Sequence, residues 1–479
     1  MFRQILLAAA VSLAFRGTWA TVHERDQGRR NTIERDIAII GGGASGTYAA
    51  VRLREDYKKS VVVVEPKDHF GGHVNTYTVP ETGTTLEYGV QSYMRYGQAL
   101  EFFARFNVSV IPFSSRRLTG INVDITNGKL ITGYAPPPAA DTTAAFAVWL
   151  SLVDKYKPFL EPGLWDFYGP DEIPSELLIP LKDFVKLHNV EAALPRIMQI
   201  SNIGVGGVAD LLTFHVIMAF GPTISESVVN STLVWPAVSN SLVYQRAYDL
   251  LKKDVLLNTL VIDAKREHNK VELTVQNTDG TKTTIKVKRL LISAPPSLAN
   301  LQPFQLDGQE LSVYNTWEPT WSFVGVAKIP CIPENYSVSY LPSSVVPNHH
   351  LAVRDYKYTL RFDSTGPPGL QLFRILFATN YTITNDEAKA TVLDNIQNLV
   401  KSGTVNATNC PSEIKAFDDH NTIVWNNDVK LLREGFVQDL YALQGHRSTW
   451  YTGQLWCEHY SSNVWAFTET VIPRLLKGL

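Results

Sequence analysis

Apolar and polar positions follow two rhythms along this chain, and the change of rhythm divides it. Ile37–Ile40 is an unbroken apolar run of strand length; glycines follow at 41–43, and helical spacing then carries on to about Lys58. Ser60 leads into the run Val61–Val64, which ends on Glu65. Strand, glycine turn, helix and strand in that order predict a βαβ unit with parallel strands. Past residue 112 the rhythm lengthens, and a break falls at Ala135-Pro136-Pro137-Pro138. Over 142–159 the residues Phe146, Trp149, Leu150, Val153 and Tyr156 recur at helical spacing, and further helices are predicted over 174–188 and 208–220. The pattern then predicts a helix over 239–252 and a strand over 255–262. A hairpin of strands 271–275 and 283–287 turns at Asp279-Gly280, and a strand over 289–292 is stopped by Ala294-Pro295-Pro296. From about 304 to 425 the chain is aromatic and strand-rich, with Trp317, Trp321, Phe323, Tyr358, Phe362 and Phe373; a last strand and glycine over 449–453 precede a helix from 463 to 476.

The glycines of the opening unit each have a mechanical reason. Gly41 permits the tight turn, Gly43 offers no side chain to obstruct a pyrophosphate, and Gly46 lets the helix pack on the strand. The amides around Ala44 and Ser45, at the positive end of the helix dipole, then face phosphates. Glu65, with Pro66 after it, lies where such units place an acid that accepts hydrogen bonds from a ribose diol. The unit predicts dinucleotide binding and leaves NAD and FAD both open.

The stretch just beyond Glu65 bears on that choice. Gly71-Gly72-His73-Val74 opens the backbone again, and Glu87-Tyr88-Gly89-Val90-Gln91 comes next. These segments, with the opening glycines and the order of later elements, resemble the flavin amine oxidase superfamily along most of the chain. Together with a secretory leader over residues 1–20 they look most like the fungal β-cyclopiazonate dehydrogenase family. The resemblance implies an α/β fold: a Rossmann-like FAD-binding domain of the amine-oxidase type with a discontinuous α+β substrate domain. It implies FAD as cofactor, held by Gly41, Gly43, Ala44, Ser45, Gly46, Glu65, Pro66, Gly71, Gly72, His73, Gly89, Val90, Gln91, Val261, Gly453 and Val464. Tyr93 and Tyr451 fall in segments that it places beside the flavin ring and are the candidate catalytic residues. It also implies dehydrogenation at an activated carbon of a large apolar, polycyclic or aromatic intermediate, followed by ring closure. Three departures stand out: His73 replaces the usual arginine, Gln454 the usual acid after the last glycine, and the strand before Lys328 has no lysine. The missing lysine and the His73 variant weaken the alternative of a secreted amine or amino-acid oxidase. A non-enzymatic binding module is opposed by the intact phosphate-turn glycines and Glu65.

The whole chain narrows the picture further. Its 479 residues exceed one ordinary domain. The expected FAD-binding domain spans 36–111, 236–303 and 431–479, and the substrate domain 112–235 and 304–430. A net charge of −2 with no basic run gives no sign of nucleic acid or an anionic membrane as partner. Residues 1–20 read as a secretory signal: Arg3, an apolar stretch over 5–15, and Thr18-Trp19-Ala20 as the cleavage site. The stretch is too short for a membrane span. Residues 21–35 read as a polar, mobile lead-in. Sequons at Asn107, Asn230, Asn335, Asn380 and Asn406 support the secretory address. Cys331, Cys410 and Cys457 allow one internal disulfide at most. No metal site is expected, since His349-His350 and Cys457-Glu458-His459 are incomplete ligand sets.

Overall fold

The computed structural model describes residues 31–424 and 428–479, so the predicted leader and residues 21–30 lie outside it. Its first sheet is parallel throughout, in the order Thr449–Tyr451, Arg289–Ile292, Ile37–Ile40, Val61–Val64, Val255–Leu256. Ile37–Ile40 and Val61–Val64 are unbroken apolar runs because both of their faces are covered. The helix Ala44–Val51 packs on the C-terminal helix Ser461–Leu476. There Trp465 stacks on Tyr48 and Tyr93, and its Nε1 donates to Ala44 O at 3.0 Å. Each ring fully buried in this seam contributes roughly 1.5–3 kcal/mol.

A four-stranded sheet holds the predicted hairpin, Lys270–Asn277 and Lys282–Val287, flanked by Thr259–Glu267 and Asn31–Glu34. The last of these corrects the lead-in. Asn31–Glu34 is an ordered edge strand parallel to Lys282–Val287. Its ladder bonds come from the backbone, so one inward residue, Ile33, suffices and no apolar period marks it.

The third sheet has seven strands. Six run in the order Glu413–Asp419, Glu318–Lys328, Leu372–Thr379, Tyr358–Thr365, Tyr336–Leu341, Thr119–Asp124, and Thr422–Val424 pairs with the start of the second. One face, with Phe323, Phe362, Phe373, Ile375 and Phe377, packs against Ala388, Val392, Ile396 and Leu399 of the helix Asn385–Lys401. That helix lies inside the stretch read as strand-rich, and a Thr384/Glu387 capping box opens it.

The helical segment also departs from expectation. The helix predicted over 174–188 is a 3-10 turn, Ser175–Leu178, and a separate helix, Leu181–His188, because Pro180 holds extended backbone (ψ 144°) between them. The helix predicted over 208–220 is confined to Thr213–Ala219, and Leu194–Ser201 and Pro222–Val229 are helices that the spacing did not predict. Val110–Pro112 pairs antiparallel with Val234–Pro236, so the chain enters and leaves this segment side by side. No helix among the described residues is long and apolar enough to cross a membrane.

Candidate active site

A continuous cavity of about 2050 Å³ lies between the parallel sheet and the seven-stranded sheet. One wall is made by Gly43, Ala44, Ser45, Gly71, Gly72, His73, Gly89, Val90, Gln91, Gly453 and Val464, so segments from both ends of the chain meet there. Gly41 and Gly46 sit behind it. A Cβ on Gly46 would lie 2.0 Å from Gly41 O, so the helix approaches the turn closely enough to require glycine. Gly453 has φ +105°, and a Cβ there would stand 3.0 Å from Ser45 Oγ and 3.4 Å from Ser293 O. Two helices, Ala44–Val51 and Ser461–Leu476, begin at this wall with no side-chain cap and no acid in the first turn. Their first amides are therefore available to an anionic or carbonyl-bearing ligand.

Glu65 is buried behind the turn. Its carboxylate accepts from Gly42 N at 2.5 Å and Lys67 N at 2.8 Å, while burial raises its pKa. Glu65, the exposed Pro66 and the half-buried Val261 stand outside the cavity lining.

The two expected catalytic residues need correction, because neither lines the cavity. Tyr93 is buried in the seam between Phe103 and Trp465. Tyr451 is equally buried and donates to Glu310 Oε1 at 3.1 Å. Glu310 in turn binds Arg266 through paired contacts of 2.6 and 2.8 Å, which makes Tyr451 part of a buried structural network. Ser92 and Met94 line the cavity, whereas Tyr93, held by a bridge to Val234, does not.

Other groups also reach the cavity, among them His420, which sequence reasoning passed over. His73 stacks on His420, with ring centroids 4.4 Å apart, and His420 Nε2 lies 2.6 Å from Asn75 Oδ1. Burial lowers the pKa of His73 to about 4, lowers that of His420 well below the usual value, and lowers that of His459 to about 4. All three are neutral imidazoles at neutral pH. Cys457 also lines the cavity, and burial pushes its thiol pKa well up, so it is not a thiolate. Beneath it Glu458 and Glu161 face one another in the core, and burial followed by their mutual repulsion keeps Glu458 protonated well above the usual range. No single motif signals these contacts, which join residues as far apart in the chain as His73 and His420.

The opposite wall is the second face of the seven-stranded sheet. Asn122, Ser339, Arg361, Leu376 and Val324 are successive cross-strand partners in one row, and Gly120, Ser337, Asp363 and Arg374 form the next. All of these line the cavity. The aromatic residues Phe323, Phe362 and Phe373 of this strand-rich segment alternate onto the other face and fill the core.

Residues 39–106 match the family model of an NAD(P)-binding Rossmann-like domain. The chain is 31% identical to β-cyclopiazonate dehydrogenase of Aspergillus flavus over 93% of its own length and 94% of the relative's. It is 30% identical to the FAD-dependent oxidoreductase pigF of Monascus ruber over 100% of both chains. With the FAD-dependent oxidoreductase dbaF of Emericella nidulans it shares 30% identity over 99% of this chain and 96% of the other. Among solved structures, a fatty acid isomerase from P. acnes, described as producing CLA, superposes with a TM-score of 0.69 at 17% identity, covering 92% of this chain and 99% of that one. A putrescine oxidase does so with a TM-score of 0.60 at 16% identity, covering 92% and 99%. The fold is therefore that of the flavin amine oxidases. The glycine wall and its two uncapped helix starts fit the cofactor that the relatives' names specify. The chain belongs to the β-cyclopiazonate dehydrogenase family of FAD-dependent oxidoreductases.

Proposed function

We propose that this enzyme dehydrogenates an activated carbon of a large, mostly apolar intermediate of secondary metabolism, and that ring closure comes after. The observation that carries this reading is the cavity itself. Its roughly 2050 Å³ is twice the upper end of the usual range for small-molecule sites, about 1000 Å³, which leaves room for a substantial substrate beside a dinucleotide. The amides at Gly43, Ala44 and Ser45 would hold the pyrophosphate, with Glu65 bracing the turn through Gly42 N, and Gly453 with the start of the helix Ser461–Leu476 would hold the flavin end. Bound FAD supplies the two-electron redox step. The protein orients the substrate on the sheet face, excludes water, and presents His420 and His459 as neutral bases. The amine-oxidase alternative is not favoured, since the strand Glu318–Lys328 sends Thr320, Ser322 and Val324 to the cavity while Lys328 is exposed. Purified protein should show flavin absorbance, and deleting the gene in the producing organism should accumulate a precursor richer by two hydrogens. Colourless protein or an unchanged metabolite profile refutes the reading, and peroxide release on simple primary amines would restore the alternative.

The secretory address is part of the same proposal. It is supported by a Cys331–Cys410 disulfide, which leaves Cys457 free, and by the exposure of all five sequon asparagines. A mobility shift on enzymatic deglycosylation of the secreted protein tests it.

A further inference from the structure

The cavity wall farthest in sequence from the glycine motifs carries an excess of positive charge. Arg196, Arg354, Arg361 and Arg374 all line it, and the acid among them is Asp363. Asp363 Oδ2 accepts from Arg361 Nε at 3.0 Å and from Arg374 Nη2 at 2.8 Å, and its Oδ1 accepts from Ser337 Oγ at 2.7 Å. One carboxylate thus serves two guanidinium groups. Burial alone would raise its pKa, but Arg361 and Arg374 outweigh that and pull it down to about 2. Among the described residues, Arg354 contacts only uncharged acceptors: Thr359 Oγ1 at 2.8 Å, Asn202 Oδ1 at 3.4 Å and Met198 O at 2.8 Å. Arg196 donates to Gln199 Oε1 at 2.5 Å, lines the cavity and feels the charge of Asp363 without bonding to it. Arg374 Nε is buried with no acceptor. Burial, and after it the neighbouring Arg361, lowers the pKa of Arg354 to about 10, so it still carries its charge at neutral pH without an acidic partner.

Unpaired guanidinium groups in a partly desolvated wall are costly unless an anion meets them, and a planar fork suits a carboxylate in particular. The rest of the cavity is chemically different. Leu376, Ala378, Val324, Met218 and Trp235 give it an apolar lining between the arginines and the glycine wall. We infer that the substrate is an amphiphilic acid whose carboxylate is anchored by Arg354, with Arg196 adding positive charge on the same wall, and whose apolar body extends toward the flavin. This rests on the reading of the cavity as the substrate site and specifies the polar end of what enters it.

The test uses FAD-loaded protein and 1-pyrenebutyrate, with the uncharged 1-pyrenebutanamide as its counterpart. Pyrene fluorescence reports binding, and the flavin spectrum reports that the ligand sits beside the cofactor. Wild-type protein should prefer the acid by about tenfold to a hundredfold, the range for one charge-assisted contact. Arg354→Gln should remove most of that preference and leave the amide's affinity within about twofold. Arg196→Gln makes the same test at a side chain with a single tether, should Arg354→Gln fail to fold and load FAD. Equal affinity for acid and amide in the wild type, or a preference that survives in folded variants, overturns the inference and leaves the cavity's role standing. If neither ligand binds or perturbs the flavin, the substrate-site reading falls, and this inference falls with it.

Discussion

Replacing Gly453 with alanine tests whether the last glycine is required where it meets the first motif. Its φ of +105° is a conformation that an L side chain adopts only at a cost, about 1–2 kcal/mol for an isolated left-handed residue. The new Cβ would also stand 3.0 Å from Ser45 Oγ, on the helix that opens the phosphate turn, and 3.4 Å from the fixed backbone oxygen of Ser293. The serine hydroxyl can rotate away, whereas the backbone oxygen cannot, so the total penalty should fall at about 1–3 kcal/mol. Part of it will appear as lost stability. Part will appear as weaker FAD binding, because any relaxation moves Gly453 or Ser45, and both line the cavity. Urea unfolding of the apoprotein measures the first part, and titration of the apoprotein with FAD the second; an affinity loss of about tenfold corresponds to 1.4 kcal/mol. A variant within about 0.5 kcal/mol of wild type in stability, with unchanged FAD affinity, would refute the argument that this glycine is structurally required.

Arg266→Met should destabilise the protein by about 3–5 kcal/mol in urea unfolding, since it leaves the buried Glu310 carboxylate without its bidentate partner. A loss below about 1 kcal/mol would mean that Arg447, 3.2 Å from Glu310, takes over the role. His73 supplies a pH prediction. Its folded pKa of about 4 lies below the ordinary value of 6.5, so its contribution is present above pH 6.5 and is lost as pH falls toward 4. His73→Asn should remove up to about 3 kcal/mol of that acid-side slope, and parallel pH–stability profiles of variant and wild type would refute the assignment.

The cofactor half of the fold was legible because its signals are local. A glycine turn between two valine- and isoleucine-rich strands fixes a βαβ unit within roughly thirty residues, and both strands lie in the parallel sheet. The strand Asn31–Glu34 was not legible, since an edge strand needs only backbone pairing and gives no apolar period. The helix Asn385–Lys401 did carry a readable sign in Thr384 and Glu387, but the aromatic strands around it dominated the local pattern. In the site, the glycine positions could be placed from their motifs. Tyr93 and Tyr451 could not, because the motifs do not show which side chains tertiary packing buries: Tyr93 lies against Trp465, and Trp450 and Thr452 are buried along with Tyr451. The histidine stack and the arginine wall were hidden for another reason: each is assembled from segments that only tertiary packing brings together.

The two-sidedness of the seven-stranded sheet has a consequence for how this enzyme can change. Positions 359, 361, 363, 374, 376 and 378 look into the cavity, while 362, 373, 375 and 377 look into the hydrophobic core. Substrate preference is therefore written on every second residue, and solidity on those between. A library randomised at the first set could retune what the enzyme accepts while the packing beneath stays intact, whereas the same diversity moved along by one residue would yield mostly unfolded chains.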